Sequence, residues 1–150
     1  MSSEPRVLVV ESNDALRALL FTILRYQPLG VDTAASADEA MERVANCDYA
    51  LIVVDMDMAD EAGQAFVISF REQRPEAETF ILAVRDPSGD AFLDPALVNA
   101  VLNKPLEIDT LAELVRECAM VVPQPAEPLP CPPSESEIRS KLERGSYIEN

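Results

Sequence analysis

Apolar residues in this chain gather in short unbroken runs, separated by stretches of helical period. Val7-Leu8-Val9-Val10, Ala50-Leu51-Ile52-Val53-Val54 and Phe80-Ile81-Leu82-Ala83-Val84 are continuous rather than alternating, as expected of strands buried on both faces of a parallel sheet. Val31–Ala34 and Val101–Leu102 are shorter candidates and bring the strand count to five. Between the runs, Leu16, Leu19, Leu20, Ile23 and Leu24 mark a first helix. Ala40, Met41 and Val44 mark a second, opened by the capping box Ser36-Ala37-Asp38-Glu39. Phe66, Val67 and Phe70 predict a third helix, and Leu111, Leu114, Val115 and Cys118 a last one. Pro87, Gly89 and Pro95 interrupt the stretch before Asn99 and leave room only for a short or irregular helix around Leu97. Alternating strands and helices imply right-handed crossovers and an α/β sandwich, a parallel sheet covered on both faces. Ligands in such folds bind outside the carboxyl ends of the strands.

The pattern changes once, near Met120. From Pro123 to Pro133 six of eleven residues are proline, a composition that neither helix nor sheet interior tolerates. The expected organisation is therefore a domain over 1–120, a Pro-rich linker over 121–133 and a tail over 134–150. Ser134-Glu135-Ser136-Glu137 is a second capping box, and Ile138 and Leu142 follow at helical spacing before Gly145. These residues predict a short amphipathic helix, Ser134–Arg144, with Ile138 and Leu142 as its docking anchors. Isolated helices of this length are marginal in water. The 30 residues beyond Met120 are too few for a DNA-binding output domain.

Charge and composition narrow the chemistry. The net charge of −15 repels phosphate backbones and anionic lipid, so neither nucleic acid nor membrane is an expected partner. Histidine is absent, which excludes Ser-His-Asp and Cys-His catalysis, His-ligated metal and phosphohistidine on this chain. Cys47, Cys118 and Cys131 show no C-x-x-C spacing and read as reduced thiols, with Cys131 exposed to oxidation in the linker. Met1–Arg6 lacks the marks of a signal peptide and no apolar run approaches a membrane span. A cytoplasmic protein is expected.

The residues that follow the apolar runs are Glu11, Asp55, Arg85 and Lys104. In a parallel sheet all four share one rim. Each alone reads first as the point where the chain reaches water. Together, the acids suit a divalent cation and the bases suit phosphoryl oxygens. Asp55 is itself a competent nucleophile for a phosphoryl group.

Val7–Arg17, Val53–Gly63 and Asn103-Lys104-Pro105 resemble the three signature stretches of the response-regulator receiver domain. The resemblance covers roughly Arg6 to Met120 and implies a flavodoxin-like (βα)5 sandwich, sheet order 2-1-3-4-5. It implies that a histidine kinase or phosphotransfer protein phosphorylates Asp55 with Mg²⁺ as cofactor. It implies that Glu11, Asp55 and the backbone carbonyl of Asp57 hold the metal, and that Lys104 contacts the phosphate beside a cis proline, Pro105. Under the same resemblance the side-chain identity of Asp57 matters little.

The departures from the family pattern are Ser12, where a metal-binding acid is usual, Arg85, where Ser or Thr is usual, Val101, where the switch aromatic is usual, and Ala59 for proline. A unit-charge pair at ~4 Å and an effective dielectric near ~20 is worth ~4 kcal/mol gross, and a dication doubles that. Ser12 therefore weakens the expected hold on Mg²⁺. Arg85 can donate to a phosphate oxygen, or pair with Asp55 in the phosphate's place. Asp55 and Lys104 in register favour a stand-alone phosphoaccepting receiver that signals through a downstream protein or a homodimer. Ser12, Arg85 and Val101 favour the alternative, a phosphorylation-independent interaction module. An enzyme binding flavin or nucleotide on the same sheet is not expected, because the turn Glu11-Ser12-Asn13-Asp14 is acidic and lacks glycine.

Overall fold

The computed structural model describes residues 4–89 and 93–148. Positions 1–3 of the expected leaderless start, 149–150 of the tail and 90–92 of the segment expected to hold a short helix lie outside the described residues. Five parallel strands, β1 (Arg6–Val10), β2 (Gly30–Ala34), β3 (Leu51–Asp55), β4 (Phe80–Arg85) and β5 (Ala100–Asn103), form one sheet in the order β2-β1-β3-β4-β5. This is the order the resemblance implied. The helices are α1 (Asp14–Leu24), α2 (Ala37–Asn46), α3 (Ala62–Gln73), α4 (Ile108–Val121) and α5 (Glu135–Ile148).

The continuous apolar runs bury both faces because a strand turns successive side chains to opposite sides. Leu8, Val10, Ile52, Val54, Ile81 and Ala83 pack under α2 and α3, against Val44, Phe66 and Phe70. Val7, Val9, Leu51, Val53, Leu82 and Val84 pack on the other side, under Leu20 and Leu24 of α1 and Leu111 and Val115 of α4. Local signals set the helix starts. Asn13 caps α1 through Leu16 N–H, and Ser36 caps α2 through Glu39 N–H while Glu39 reaches back to the N–H of Ala35.

Between β4 and β5 the described residues hold a turn over 95–97 and no helix, so the irregular helix expected around Leu97 does not form there. The prolines that leave little room for it are the physical reason. Val101 is consequently 40% exposed on β5.

Three features of the C-terminal segment correct expectation. First, Cys47 and Cys131 form a disulfide across 84 residues, with Cα atoms 4.6 Å apart; only Cys118 among the three cysteines is a free thiol. The linker lies along the body instead of standing off as a spacer: Asp48 accepts from Leu129 N–H and Arg6 donates to the carbonyl of Pro132. Second, α5 continues through Gly145 to Ile148. Third, Ile138 and Leu142 are exposed at 47% and 64%, and the tail is held instead by the buried Ser134 and Ser136 and by Glu135. Polar groups anchor it because β2 is an edge strand whose outward N–H groups need acceptors.

One glycine sets how closely α3 meets β3. A Cβ on Gly63, in the first turn of α3, would overlap the carbonyl oxygen of Asp55, so only glycine lets the helix start this close to the end of β3. Gly63→Ala is expected to lower stability by ~1–3 kcal/mol, read as a lower denaturation midpoint with an unchanged slope in urea.

Candidate functional site

The C-terminal ends of β1, β3 and β5 bring Glu11, Asp55 and Lys104 together. Asp55 closes β3 and is 7% exposed, and Glu11 follows β1 and is 3% exposed. Lys104 Nζ stands 3.0 Å from Asp55 Oδ1 and 3.0 Å from Asp57 Oδ2. It leaves the sheet beside a cis Lys104–Pro105 peptide. Asp55 Oδ1 also accepts from the backbone N–H of Asp57 at 2.9 Å. Burial lowers the pKa of Lys104, but its hydrogen bonds to Asp55 and Asp57 outweigh burial and raise it, so the ammonium is fixed in its charged form.

Glu11 takes the opposite course. Burial pushes its carboxyl up to about 7; the bond from Asn13 N–H opposes this, and the hydrogen bond and charge of Asp55 add to it. Glu11 and Asp55 are thus a hydrogen-bonded acid pair in which Glu11 keeps its proton into the neutral range. The chemistry of this donor set fits a hard dication, since the adjoining carboxyls of Glu11 and Asp55 are oxygen donors of the kind such an ion takes. No group of three or more acidic or cysteine side chains arranged to hold a metal occurs among the described residues. Ser12 is exposed in the loop after β1 and adds no carboxylate.

Arg85 is half-buried at the end of β4, and its carbonyl accepts from the N–H of Lys104 at 2.8 Å. The cation on Asp55 is Lys104. Val101 lies on β5 with its side chain open to solvent.

Four residues contribute in ways a reading of the sequence misses. The carboxylate of Asp57, expected to be incidental, holds Lys104 and accepts from the N–H of Asp86 at 2.8 Å, tying the β3 and β4 loops together. Arg17 donates to the carbonyl of Glu11 at 2.9 Å and pairs with Asp14 at 2.7 Å. Asp60 and Glu61 adopt left-handed backbone with φ of 58° and 54°, each a cost on the order of 1 kcal/mol in the loop that follows Asp55. Only Asp57 had a signal in the sequence, its place two residues beyond Asp55. Met56 and Met58 are buried in the core beneath the loop, as packing residues.

The response regulator receiver domain model matches residues 7–116. The chain belongs to that family. It is 27% identical over 113 residues to the transcriptional regulatory protein PmrA of Pectobacterium parmentieri, a match covering 74% of this chain and 50% of that protein. The receiver thus spans about half the length of this curated relative. Its fold resembles the CheY-like receiver domain protein of Methanospirillum hungatei JF-1, at 24% identity and a TM-score of 0.67 over 79% of this chain and 95% of that one. It also resembles the response regulator TrrA of Thermotoga maritima in complex with Mg²⁺ and BeF, at 24% identity and a TM-score of 0.65 over 76% and 98% of the two chains. No helix among the described residues is long and apolar enough to cross a membrane.

The raised pKa of Glu11 has a stability signature. The folded receiver holds this proton more tightly than the unfolded chain, so the stability Glu11 supplies is full below about 4.5 and is lost as pH rises through about 7. Glu11→Gln, which keeps a neutral side chain at every pH, is expected to raise the melting temperature above wild type at pH 8 in the presence of a chelator. At pH 4 it is expected to leave the melting temperature nearly unchanged. Calorimetry at the two pH values checks this.

Proposed function

We propose that this receiver accepts a phosphoryl group on Asp55 from a histidine kinase or phosphotransfer partner and signals in the cytoplasm through protein contacts, with a downstream protein or a second copy. It is read as a signalling module, not an enzyme. The observation that carries the reading is Lys104 Nζ at 3.0 Å from Asp55 Oδ1, in the pocket where Asp55 and Glu11 meet.

Oδ1 already accepts from two donors, so the attacking oxygen in this reading is Oδ2. It forms the P–O bond as the P–N bond of the donor phosphohistidine breaks, and the departing imidazole takes a proton from water. Lys104 is already charged and in place to neutralise a phosphoryl oxygen. Arg85, at the end of the adjoining strand, is the second cation for the phosphate in this reading. Glu11, Asp55 and the Asp57 carbonyl would hold Mg²⁺, which when bound supplies charge neutralisation to the phosphoryl oxygens. Lacking a carboxylate at Ser12, the site is expected to need more Mg²⁺ than one with two acids after β1.

A second reading, an interaction module independent of phosphorylation, draws on Val101 and on the lack of a helix among the described residues between β4 and β5. Both alter the face that would relay a change at Asp55. Intact mass after incubation with a small acyl phosphate and Mg²⁺ separates the two. Under the first reading wild type gains a phosphoryl mass, Asp55→Asn does not, and Lys104→Ala gains it more slowly by a factor on the order of a hundred. Absence of any gain in wild type across the Mg²⁺ range sinks the first reading and leaves the second.

A further inference from the structure

The tail covers the free edge of the sheet. Ser136 Oγ accepts from Val31 N–H at 2.8 Å and Glu135 Oε1 from Thr33 N–H at 2.7 Å. These are outward N–H groups of β2, whose other edge pairs with β1. The opposite polarity is met by Arg43, whose Nε donates to the Thr33 carbonyl at 3.2 Å and whose Nη2 pairs with Glu135 at 2.7 Å. Asp32, 1% exposed, accepts from Glu135 N–H at 2.9 Å and from Arg6 and the Tyr49 hydroxyl at 2.7 Å each. Side chains and one backbone N–H of the tail thus do the work of a sixth strand.

These contacts are polar, and their net contribution in water is modest. What fixes the tail is how short its tether is. From the end of α4 at Val121 to Ser134 the chain runs thirteen residues, whereas from Cys131 it runs three. An effective concentration that falls as the −3/2 power of tether length drops about tenfold when the disulfide opens. Cys47 is 2% exposed and packed in the core, whereas Cys131 is only partly buried, so Cys131 Sγ is the accessible sulfur of the pair.

We infer that Cys47–Cys131 is a thiol–disulfide exchange site whose reactant is a dithiol, and that its reduction loosens the tail from the β2 edge. A thiolate of the dithiol attacks Cys131 Sγ, the S–S bond breaks, and Cys47 leaves as a thiolate that takes up a proton. The second thiol of the reactant then displaces Cys131, which leaves as a thiolate and is protonated in turn. The protein gains two electrons and two protons, and the dithiol is oxidised to its disulfide. The site lies near the start of β3, at the end of the sheet remote from Asp55, and it does not depend on phosphorylation.

The test uses the full chain. After equilibration with oxidised glutathione, denaturation and alkylation should label Cys118 alone. After dithiothreitol all three cysteines should be labelled. Hydrogen exchange at Val31 and Thr33 should be about tenfold faster in the reduced protein than in the oxidised one. Cys131→Ser, which changes the accessible cysteine and spares the core one, should exchange at the reduced rate under both conditions. Ser136→Ala with Glu135→Ala should accelerate exchange at the same two amides with the disulfide intact, which establishes that they report the tail. Labelling of all three cysteines after the oxidised treatment overturns the inference. So does exchange at Val31 and Thr33 that is the same in both redox states.

Discussion

Everything in this receiver follows from burying a parallel sheet on both faces. In β1, β3 and β4 the interior positions are Val, Leu, Ile and Ala and leave no place for charge, so in these strands each charge stands at an end. Three strand ends converge on one corner, and the acids there are too well buried to be separately hydrated. The corner resolves this in two ways. Lys104 neutralises Asp55 and Asp57, and Glu11 keeps a proton. A pocket holding one fixed cation and one removable proton beside a buried carboxylate is chemically biased toward an anionic group with its counter-cation.

The bias depends on geometry that begins far from the charges. Gly63 lets α3 start against the carbonyl of Asp55, and the left-handed pair Asp60 and Glu61 folds the intervening loop back. Asp57 then sits between Lys104 and the N–H of Asp86. Movement of Lys104 toward a phosphoryl group would draw on the same carboxylate that anchors the β4 loop. Under the proposed function that coupling would run through Asp57, because the end of β4 carries Arg85 in place of a hydroxyl. The β4–β5 connection, with a turn in place of a helix among its described residues, is the segment such a movement reaches first.

Residues at the ends of apolar runs were legible from the sequence because periodicity locates strand ends directly. Glu11, Asp55 and Lys104 are of this kind, and so is the cap Ser36, which acts within three residues. Asp57 was underread because its importance rests on Lys104, 47 positions away by number and adjacent only after β3 and β5 take their places. The Cys47–Cys131 pair was read as free thiols for a similar reason. Its spacing carries no motif, and a proline-rich linker reads as an extended spacer whose path composition cannot specify. The tail anchors were misassigned because helical periodicity weights Ile138 and Leu142, whereas an edge strand demands acceptors.

The two edges of the sheet are managed differently, and the difference bears on how the receiver meets other proteins. At β5 the edge is short, four residues, and Val101 and Asn103 face water; brevity alone limits strand addition there. At β2 five residues would offer a longer template, and the chain covers it with Glu135 and Ser136. A side-chain cover differs from a sixth strand in one respect that matters. It occupies single donors with acceptors from a helix start, so it can be withdrawn without breaking a ladder, whereas a strand must be unzipped through every bond it makes. A helix N-terminus on an edge strand is therefore suited to reversible release, and the Cys47–Cys131 link, three residues before Ser134, is what makes that release conditional in the inference drawn above.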